Sequence, residues 1–306
     1  MNRVISKLTT KPVWWWERKR TYPIRSRHDR LPSIPSIPGG KCFVVLTTLD
    51  ALDDALWTSW SWYRFLRPHG FELRLAVDGK LGAAEAEKAQ RLFPGIVIFD
   101  VNSLVPELCE SRPSLRTFLT HHPVAKQIGL VLALAREGPV LYSDHDVVAF
   151  NSPTELLECT DREIPCYFVD DENGCHDPSL VQTLSTLGVT YIRRLNAGFL
   201  YVPQNALLAD LAERILTGWN PFPFFYYTPQ TVMSTLMRSI NAQPLPADRY
   251  VISNQRQFYW EKDVDYRMIA ARHFTGTVRH VLYKYGMPAL LVKARLGRDT
   301  ESKIER

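Results

Sequence analysis

The chain has 306 residues, of which 45% are hydrophobic and 23% are charged, as in ordinary soluble globular proteins. Its net charge of +5 arises in the first 30 residues, which hold nine Lys or Arg side chains against two acidic ones. The remaining chain is close to neutral, which excludes a nucleic-acid-binding surface spread over the whole molecule.

The amino-terminal segment is basic and rich in tryptophan. Trp14–Trp16 lie between Lys11 and Arg18–Arg20, a composition that suits a membrane interface with anionic lipid. Docking of the tryptophans onto the domain, or disorder, is the favoured interpretation, and peripheral membrane contact is predicted as the alternative. The sequence shows no apolar stretch of about 20 residues and no secretory signal, so a cytoplasmic location is expected.

Five cysteines are scattered along the chain without a Cys-x-x-Cys pair. This pattern predicts reduced thiols, as in a cytosolic compartment. Cys175 and His176 are adjacent, but no second Cys/His cluster lies near them in the sequence. A zinc site is therefore not expected.

Residues 31–40 are rich in proline, and we interpret them as a linker without regular structure. Residues 1–40 are accordingly predicted to be a basic appendage, 41–290 a single domain, and 291–306 a charged tail.

Within the domain, short apolar runs alternate with helical patterns, which predicts an α/β fold with a mostly parallel, doubly wound sheet flanked by helices. Strands are predicted at Cys42–Thr47, Leu73–Val77, Ile96–Phe99, Val140–Tyr142, Cys166–Val169 and Phe199–Val202, and helices at Asp53–Leu66, Gly82–Leu92, Val124–Arg136, Leu207–Leu216 and Pro229–Ile240.

Polar residues stand where the predicted strands end, and ligands of such sheets bind beyond the carboxyl ends of the strands. Thr47, Thr48 and Asp78 follow two of these strands, and Asp144 and Asp146 follow a third. An Asp-x-Asp at a strand end can bind one hard cation such as Mg²⁺ or Mn²⁺. A solvated turn is the alternative for this motif.

Two later segments have a composition suited to a ligand site. In Asn196-Ala197-Gly198, glycine permits close backbone approach and asparagine offers both a donor and an acceptor; a β-bulge is the alternative. In the segment from His273 to Arg279, an imidazole and a guanidinium can share one ligand, the first on a metal and the second on phosphate.

Together these motifs resemble the GT-A fold glycosyltransferases, in particular the glycogenin and galacturonosyltransferase-like group of retaining enzymes. That group has Asp-x-Asp after a strand, then Asn-x-Gly, then a helix with Asp-Gln, and finally His-aromatic-x-Gly-x-x-Lys. This chain keeps the order from Cys42 to Tyr285, with Asp144-His145-Asp146, Asn196-Ala197-Gly198, Gln230, and His273-Phe274-Thr275-Gly276 followed by Arg279.

The resemblance implies a metal-dependent transfer of sugar from a nucleoside-diphosphate sugar, with UDP favoured as the family's commonest nucleotide. It implies Mn²⁺ or Mg²⁺ as cofactor and a glycan, lipid or protein as acceptor, with no nucleic-acid partner. The implied residues are Asp144, Asp146 and His273 for the metal; Thr47, Thr48, Asp78, Lys126, Asp144, Gly198, Gly276 and Arg279 for the donor; and Gln230 and Asn196 for catalysis.

The chain departs from the family pattern at three positions. Pro229 stands where the family has an acidic residue before Gln230, Arg279 replaces the lysine of the last motif, and His280 replaces the proline that usually follows it. The first change leaves open a catalytically impaired nucleotide-sugar or glycan-binding protein. A phosphatase of the haloacid-dehalogenase type, with Asp144 as nucleophile, is less favoured because that layout places the Asp pair after the first strand.

An aromatic run precedes Gln230. Phe222, Phe224, Phe225, Tyr226 and Tyr227 are predicted to be a hydrophobic plug that packs a loop on the sheet, with stacking on an acceptor sugar or lipid as the alternative.

Overall fold

The structure, a computed structural model, describes residues 16, 19–21, 23–170, 175–205, 208–220, 222–252, 264–276 and 278–304, with side chains in the last range up to Arg295. Trp14, Trp15, Leu207 and Pro221 lie outside the described residues.

A central sheet of seven strands is mostly parallel, which confirms the predicted α/β architecture. The third, second, first and fourth strands in chain order run parallel side by side, whereas the seventh is antiparallel to both of its neighbours. The strands of this sheet are β1 Lys41–Thr48, β2 Phe71–Asp78, β3 Val97–Asp100, β4 Val140–Asp144, β6 Cys166–Val169, β7 Leu195–Val202 and β8 Gln243–Pro244, in the spatial order β3-β2-β1-β4-β7-β6-β8.

A second, three-stranded sheet is formed by β5 Val147–Ala149, β9 Tyr250–Val251 and β10 Ala271–His273, with β10 in the middle. The sequence pattern did not predict this sheet, because strands of two or three residues are too short to show a period of two.

Helices cover both faces of the central sheet, and two hydrophobic clusters form the core. On β1, Phe43 and Val45 belong to one cluster while Cys42 and Val44 belong to the other, as the alternation of a strand requires. The longer helices are α1 Leu52–Leu66, α2 Ala83–Leu92, α3 Pro113–His121, α4 Lys126–Glu137, α5 Thr154–Asp161, α6 Pro178–Thr186, α7 Leu208–Leu216, α8 Thr228–Ser239 and α9 Met287–Ile304.

Helix α1 fixes the chain segment that follows the Asp-x-Asp. Thr58 donates to the carbonyl of His145 at 2.7 Å, and the indole of Trp62 donates to the carbonyl of Val147 at 2.8 Å. The hydroxyl of Ser61 in turn accepts the N–H of Ala149 at 3.0 Å. These side chains supply hydrogen bonds that a neighbouring strand would otherwise provide for β5.

Residues 23–40, which precede β1, form no strand but pack closely against α1 and α2. Leu31 is buried in the core, Trp60 donates to the carbonyl of Pro32 at 3.0 Å, and Ile34 donates to the carbonyl of Leu92 at 2.9 Å. Further toward the amino terminus, Trp16 is 54% exposed and the guanidinium of Arg20 lies 5.1 Å from its ring centre. The predicted membrane contact remains a prediction, and none of the described helices is long and apolar enough to cross a bilayer.

A buried ion pair joins this segment to the domain. Arg25 donates from Nε to Oδ1 of Asp54 at 2.7 Å, and the hydroxyl of Tyr283 donates to Oδ2 of Asp54 at 2.9 Å. Arg25 and Asp54 are each only 2% exposed, so each charge depends on its partner for the solvation that water would provide.

We expect Arg25→Ala to lower the free energy of unfolding by about 3–5 kcal/mol, because it leaves the buried carboxylate of Asp54 without its cation. Urea denaturation followed by circular dichroism measures this change. Arg267→Ala is the matched control, since Arg267 pairs with Asp265 on the exposed surface and its loss should leave the midpoint unchanged. Equal midpoints for Arg25→Ala and the wild type would contradict the structural importance of this pair.

Candidate metal centre

Three side chains with metal-ligating atoms converge beyond the carboxyl end of β4. One ligand atom from each of Asp144, Asp146 and His273 lies within 4.8 Å of the other two. Nε2 of His273 is 3.2 Å from Oδ1 of Asp146 and 3.9 Å from Oδ2 of Asp144. Two carboxylates and an imidazole suit a divalent cation such as Mn²⁺, which accepts both oxygen and nitrogen ligands.

The small sheet brings His273 to the aspartates. In the antiparallel pair of β5 and β10, His273 is opposite Val147, the residue directly after Asp146. The next residue, Phe274, donates its N–H to the carbonyl of Asp146 at 2.9 Å. A contact between residues far apart in the sequence is thus set by backbone register.

Asn196 and Gly198, on the neighbouring strand β7, orient the imidazole. Oδ1 of Asn196 accepts the N–H of Gly198 at 2.9 Å and lies 2.9 Å from Nδ1 of His273. Because an amide oxygen only accepts hydrogen bonds, Nδ1 of His273 carries the donated proton. Nε2 then faces the carboxylates, which is the arrangement that metal-binding histidines use.

Gly198 forms one wall of the cluster. A Cβ at this position would lie 2.8 Å from Oδ2 of Asp144 and 3.0 Å from Oδ1 of Asn196, and closer still to the ring of His273. Only glycine leaves the space that the three ligand side chains occupy, which is the close approach expected from the Asn-x-Gly motif.

Arg279 pairs with Asp146. Its Nε donates to Oδ2 of Asp146 at 3.2 Å, and its Nη2 donates to the same oxygen. The side chain of Asp146 is 3% exposed, whereas that of Arg279 is 32% exposed. The guanidinium therefore covers a buried carboxylate while part of its own surface remains open to solvent.

The electrostatics of the cluster follow from this pairing. Burial raises the pKa of Asp146, but the charges of Arg279 and His273 outweigh burial and hold it below its usual value. The pKa of Arg279 is raised, chiefly by Asp146. Burial and the neighbouring charge of Asp146 raise the pKa of Asp144, although about a third of its side chain, 35%, reaches solvent.

Tyr142 is a member of the site that the motifs did not indicate. Its hydroxyl donates to Oδ1 of Asp144, and burial together with that carboxylate raises the pKa of the phenol well above its usual value. Tyr142 stands two residues before Asp144 on the same strand, so a period of two places both on one face. The spacing of two residues from Asp144 was therefore the feature of the sequence from which Tyr142 could have been predicted as a site residue.

Thr47, Thr48, Asp78 and Lys126 lie at the same edge of the sheet. In the register, Thr48 is opposite Asp78 on β2, and Leu46 is opposite Asp144 on β4. Thr47 is buried, and Lys126 at the start of α4 donates to Oδ1 of Asp78. The predicted donor residues on the first strands are thus brought to one edge.

Gly276 and Gln230 do not belong to the strand ends that carry Thr47, Thr48 and Asp78. A Cβ at Gly276 would meet no described atom within 4 Å, so the chain is open there. Gln230, in the first turn of α8, donates from Nε2 to the carbonyl of Cys175 at 3.0 Å. Among the described residues, no recorded contact joins Gln230 to the carboxylates, and its catalytic role stays a prediction.

Four of the five rings in the aromatic run before α8 are exposed and Phe225 is half-buried, so the prediction of a hydrophobic plug is wrong. Phe222, Phe224, Tyr226 and Tyr227 are 74%, 49%, 61% and 38% exposed. The pKa of Tyr226 is raised by partial burial and then by the charges of Asp144 and Asp146, so this side chain lies within electrostatic range of the cluster.

Contacts with Thr228 and His122 hold the loop in place. The carbonyl of Phe225 accepts from Thr228 and lies 3.0 Å from Nε2 of His122, and the ring of Phe224 is 4.8 Å from that of His122. The exposed rings are therefore held on an ordered turn.

Neither a protein-family model nor a curated protein sequence matches the chain. Solved glycosyltransferases match its fold. Mouse xyloside xylosyltransferase 1 in its apo form matches with a TM-score of 0.50 at 14% identity, over 78% of this chain and 98% of that one. The galactosyltransferase LgtC, in complex with donor and acceptor sugar analogues, gives a TM-score of 0.51 at 16% identity, over 77% and 87% of the two chains.

The bifunctional glycosyltransferase WbbM gives a TM-score of 0.53 at 14% identity, over 80% of this chain and 47% of that one. At these identities the likeness lies in the fold: the order of elements and the mostly parallel seven-stranded sheet. The chain therefore has the GT-A fold of the glycosyltransferases, as its motif order predicted.

Proposed function

We propose that the protein is a metal-dependent glycosyltransferase that moves a sugar from a nucleoside-diphosphate sugar, with a UDP-sugar favoured, to a hydroxyl group of a glycan, lipid or protein. The observation that carries this proposal is the convergence of Asp144, Asp146 and His273 within 4.8 Å, at the carboxyl edge of the sheet in a GT-A fold.

In this proposal Asp144, Asp146 and His273 hold Mn²⁺ or Mg²⁺. The cation supplies positive charge that stabilises the departing diphosphate, as metal ions do in phosphoryl chemistry. Tyr142 and Asn196 hold Asp144 and His273 in place through their hydrogen bonds. Asn196, which the motif resemblance assigns to catalysis, is 7% exposed and in this proposal acts as a positioning residue.

In this proposal the remaining predicted residues contact the donor. Arg279 and Lys126 bring positive charge toward the diphosphate, and Thr47 and Thr48 lie beside the nucleoside. Gln230 and the open backbone at Gly276 face the sugar and the diphosphate. If the outcome is retaining, as the motif resemblance implies, the acceptor hydroxyl attacks from the side of the leaving group and a diphosphate oxygen takes its proton, without a protein base.

In this proposal the exposed aromatic run is the surface that binds the acceptor. Phe222, Phe224, Tyr226 and Tyr227 present rings to solvent on a fixed turn, and Tyr226 lies within electrostatic range of the carboxylates. Rings with phenol hydroxyls both stack on sugar faces and donate hydrogen bonds.

A nucleotide-sugar-binding protein without transferase activity is the second candidate. Pro229 supplies no carboxylate before Gln230, and the amide of Gln230 is engaged by the carbonyl of Cys175. The phosphatase alternative is weaker, because the Asp-x-Asp comes at the end of β4, the fourth strand in chain order, and β4 has an antiparallel neighbour, β7.

A thermal-shift panel tests the donor site and names the base. UDP, GDP, ADP and CDP are each added with and without manganese, and we expect one nucleotide to raise the melting temperature only when the metal is present. Release of that nucleotide from its sugar conjugate, with and without candidate acceptors, then separates a transferase from a binding protein.

Asp146→Asn should abolish the metal-dependent shift and reduce nucleotide release at least 100-fold, because it removes a charged ligand while keeping the shape of the side chain. Asp161→Asn is the matched control, since Asp161 lies on the surface and pairs with Lys41. Full turnover by Asp146→Asn would overturn the proposed function.

Asn196→Ala should weaken manganese binding about 10–100-fold, because the imidazole of His273 loses the acceptor that fixes its orientation. Asn196→Asp keeps an acceptor oxygen at this position and should lose less. Isothermal titration with manganese compares the three proteins, and equal affinities for wild type and Asn196→Ala would contradict the positioning role.

Gly198→Ala should abolish manganese binding while the protein still folds, because the added methyl group displaces His273 and Asp144. Gly276→Ala adds the same group where no described atom lies within 4 Å, so its affinity for manganese alone should match that of the wild type. Titration by the same method, with circular dichroism as the folding control, distinguishes the two variants.

A further inference from the structure

The carboxylate of Asp146 has two neighbours, one at each oxygen. Its Oδ2 accepts both hydrogen bonds from Arg279, and its Oδ1 lies 3.2 Å from Nε2 of His273. A divalent cation at this cluster would share Asp146 with Arg279. The guanidinium is always charged, so its attraction to Asp146 opposes the arrival of a second cation.

The charge of the cluster makes this opposition quantitative. With His273 neutral, as a metal ligand must be, Asp144 and Asp146 carry two negative charges and Arg279 one positive charge. A divalent cation then meets a net charge of −1 rather than −2. Lys126 changes this little, because it is itself paired with Asp78. A site with reduced negative charge binds a divalent cation less tightly.

Among the described residues, Asp146 is the carboxylate with which Arg279 forms an ion pair. The nearby carboxylate of Asp54 already accepts from Arg25 at 2.7 Å and from Tyr283 at 2.9 Å. Part of the Arg279 side chain, 32%, is exposed to solvent. A diphosphate arriving there offers the guanidinium the bidentate anion that it recognises best.

We propose that Arg279 balances the charge of Asp146 until a diphosphate binds, so that the divalent cation and the diphosphate bind as a coupled pair and the free protein holds the cation weakly. This inference rests on the proposed nucleoside-diphosphate site. In it, the diphosphate takes over Arg279, and the full charge of Asp146 becomes available to the cation. The coupling is reciprocal, since each ligand raises the affinity for the other by the same factor.

Manganese binding by wild type and Arg279→Gln tests the proposal without any turnover. The loss of the free-manganese signal in electron paramagnetic resonance is measured with and without the nucleoside diphosphate. A protein-free titration runs alongside because diphosphates bind manganese themselves. We expect Arg279→Gln to bind manganese alone about tenfold more tightly than wild type, and the diphosphate to raise manganese affinity about tenfold in wild type but little in the variant.

Two further variants make the result specific. Arg279→Lys keeps the charge and should keep weak manganese binding in the absence of diphosphate. Arg267→Gln removes an arginine from an exposed Asp pair and should leave both affinities at the wild-type level. Equal or weaker manganese binding by Arg279→Gln, with normal joint binding by the wild type, would overturn the coupling and leave the proposed function intact. A wild type that binds no manganese with any diphosphate would overturn both.

Discussion

The candidate metal centre depends on the pairing of β5 with β10. Each of these strands has three residues, and their register alone places His273 beside the two aspartates. On the side of β5 away from β10, side chains of α1 take the place of a further strand, with Thr58, Ser61 and Trp62 bonded to the backbone that follows Asp144. A helix packed on the core thus holds the backbone from which the ligands project, so the geometry of the site is supported by core packing rather than by a mobile loop.

The second constraint is electrostatic. Two carboxylates one residue apart repel each other, and burying them in a protein interior adds a desolvation cost. The fold offsets both costs with groups from three separate elements: the phenol of Tyr142, the imidazole of His273 and the guanidinium of Arg279. The same partners that stabilise the cluster without a cation also set how strongly it attracts one. Stability of the apo protein and affinity for the metal are therefore linked through the same few contacts.

The main sheet and the motif residues were predictable from the sequence. The contacts that bring those residues together were not. The apolar runs around β1, β2 and β4 have lengths and turn signals typical of buried strands, so their parallel order was predictable. The β5–β10 pair was not, because three residues show no period. The ion pair of Arg279 with Asp146 was also missed: the motif assigned Arg279 to the diphosphate, and nothing in the sequence relates residues 133 positions apart. The exposure of Phe222 and Tyr226 was also not predictable, since an aromatic run has the same sequence pattern whether its rings are buried or exposed.

The packed segment ahead of β1 has a practical consequence for expression. A fragment designed from composition would begin after the prolines, near Gly40, and would retain every strand of the main sheet. It would nevertheless remove the carbonyls of Arg25 and Pro32, which accept the indole N–H groups of Trp57 and Trp60. Such a fragment would expose the apolar surface of α1 beneath them, so a fragment that keeps this packing must begin upstream of Arg25.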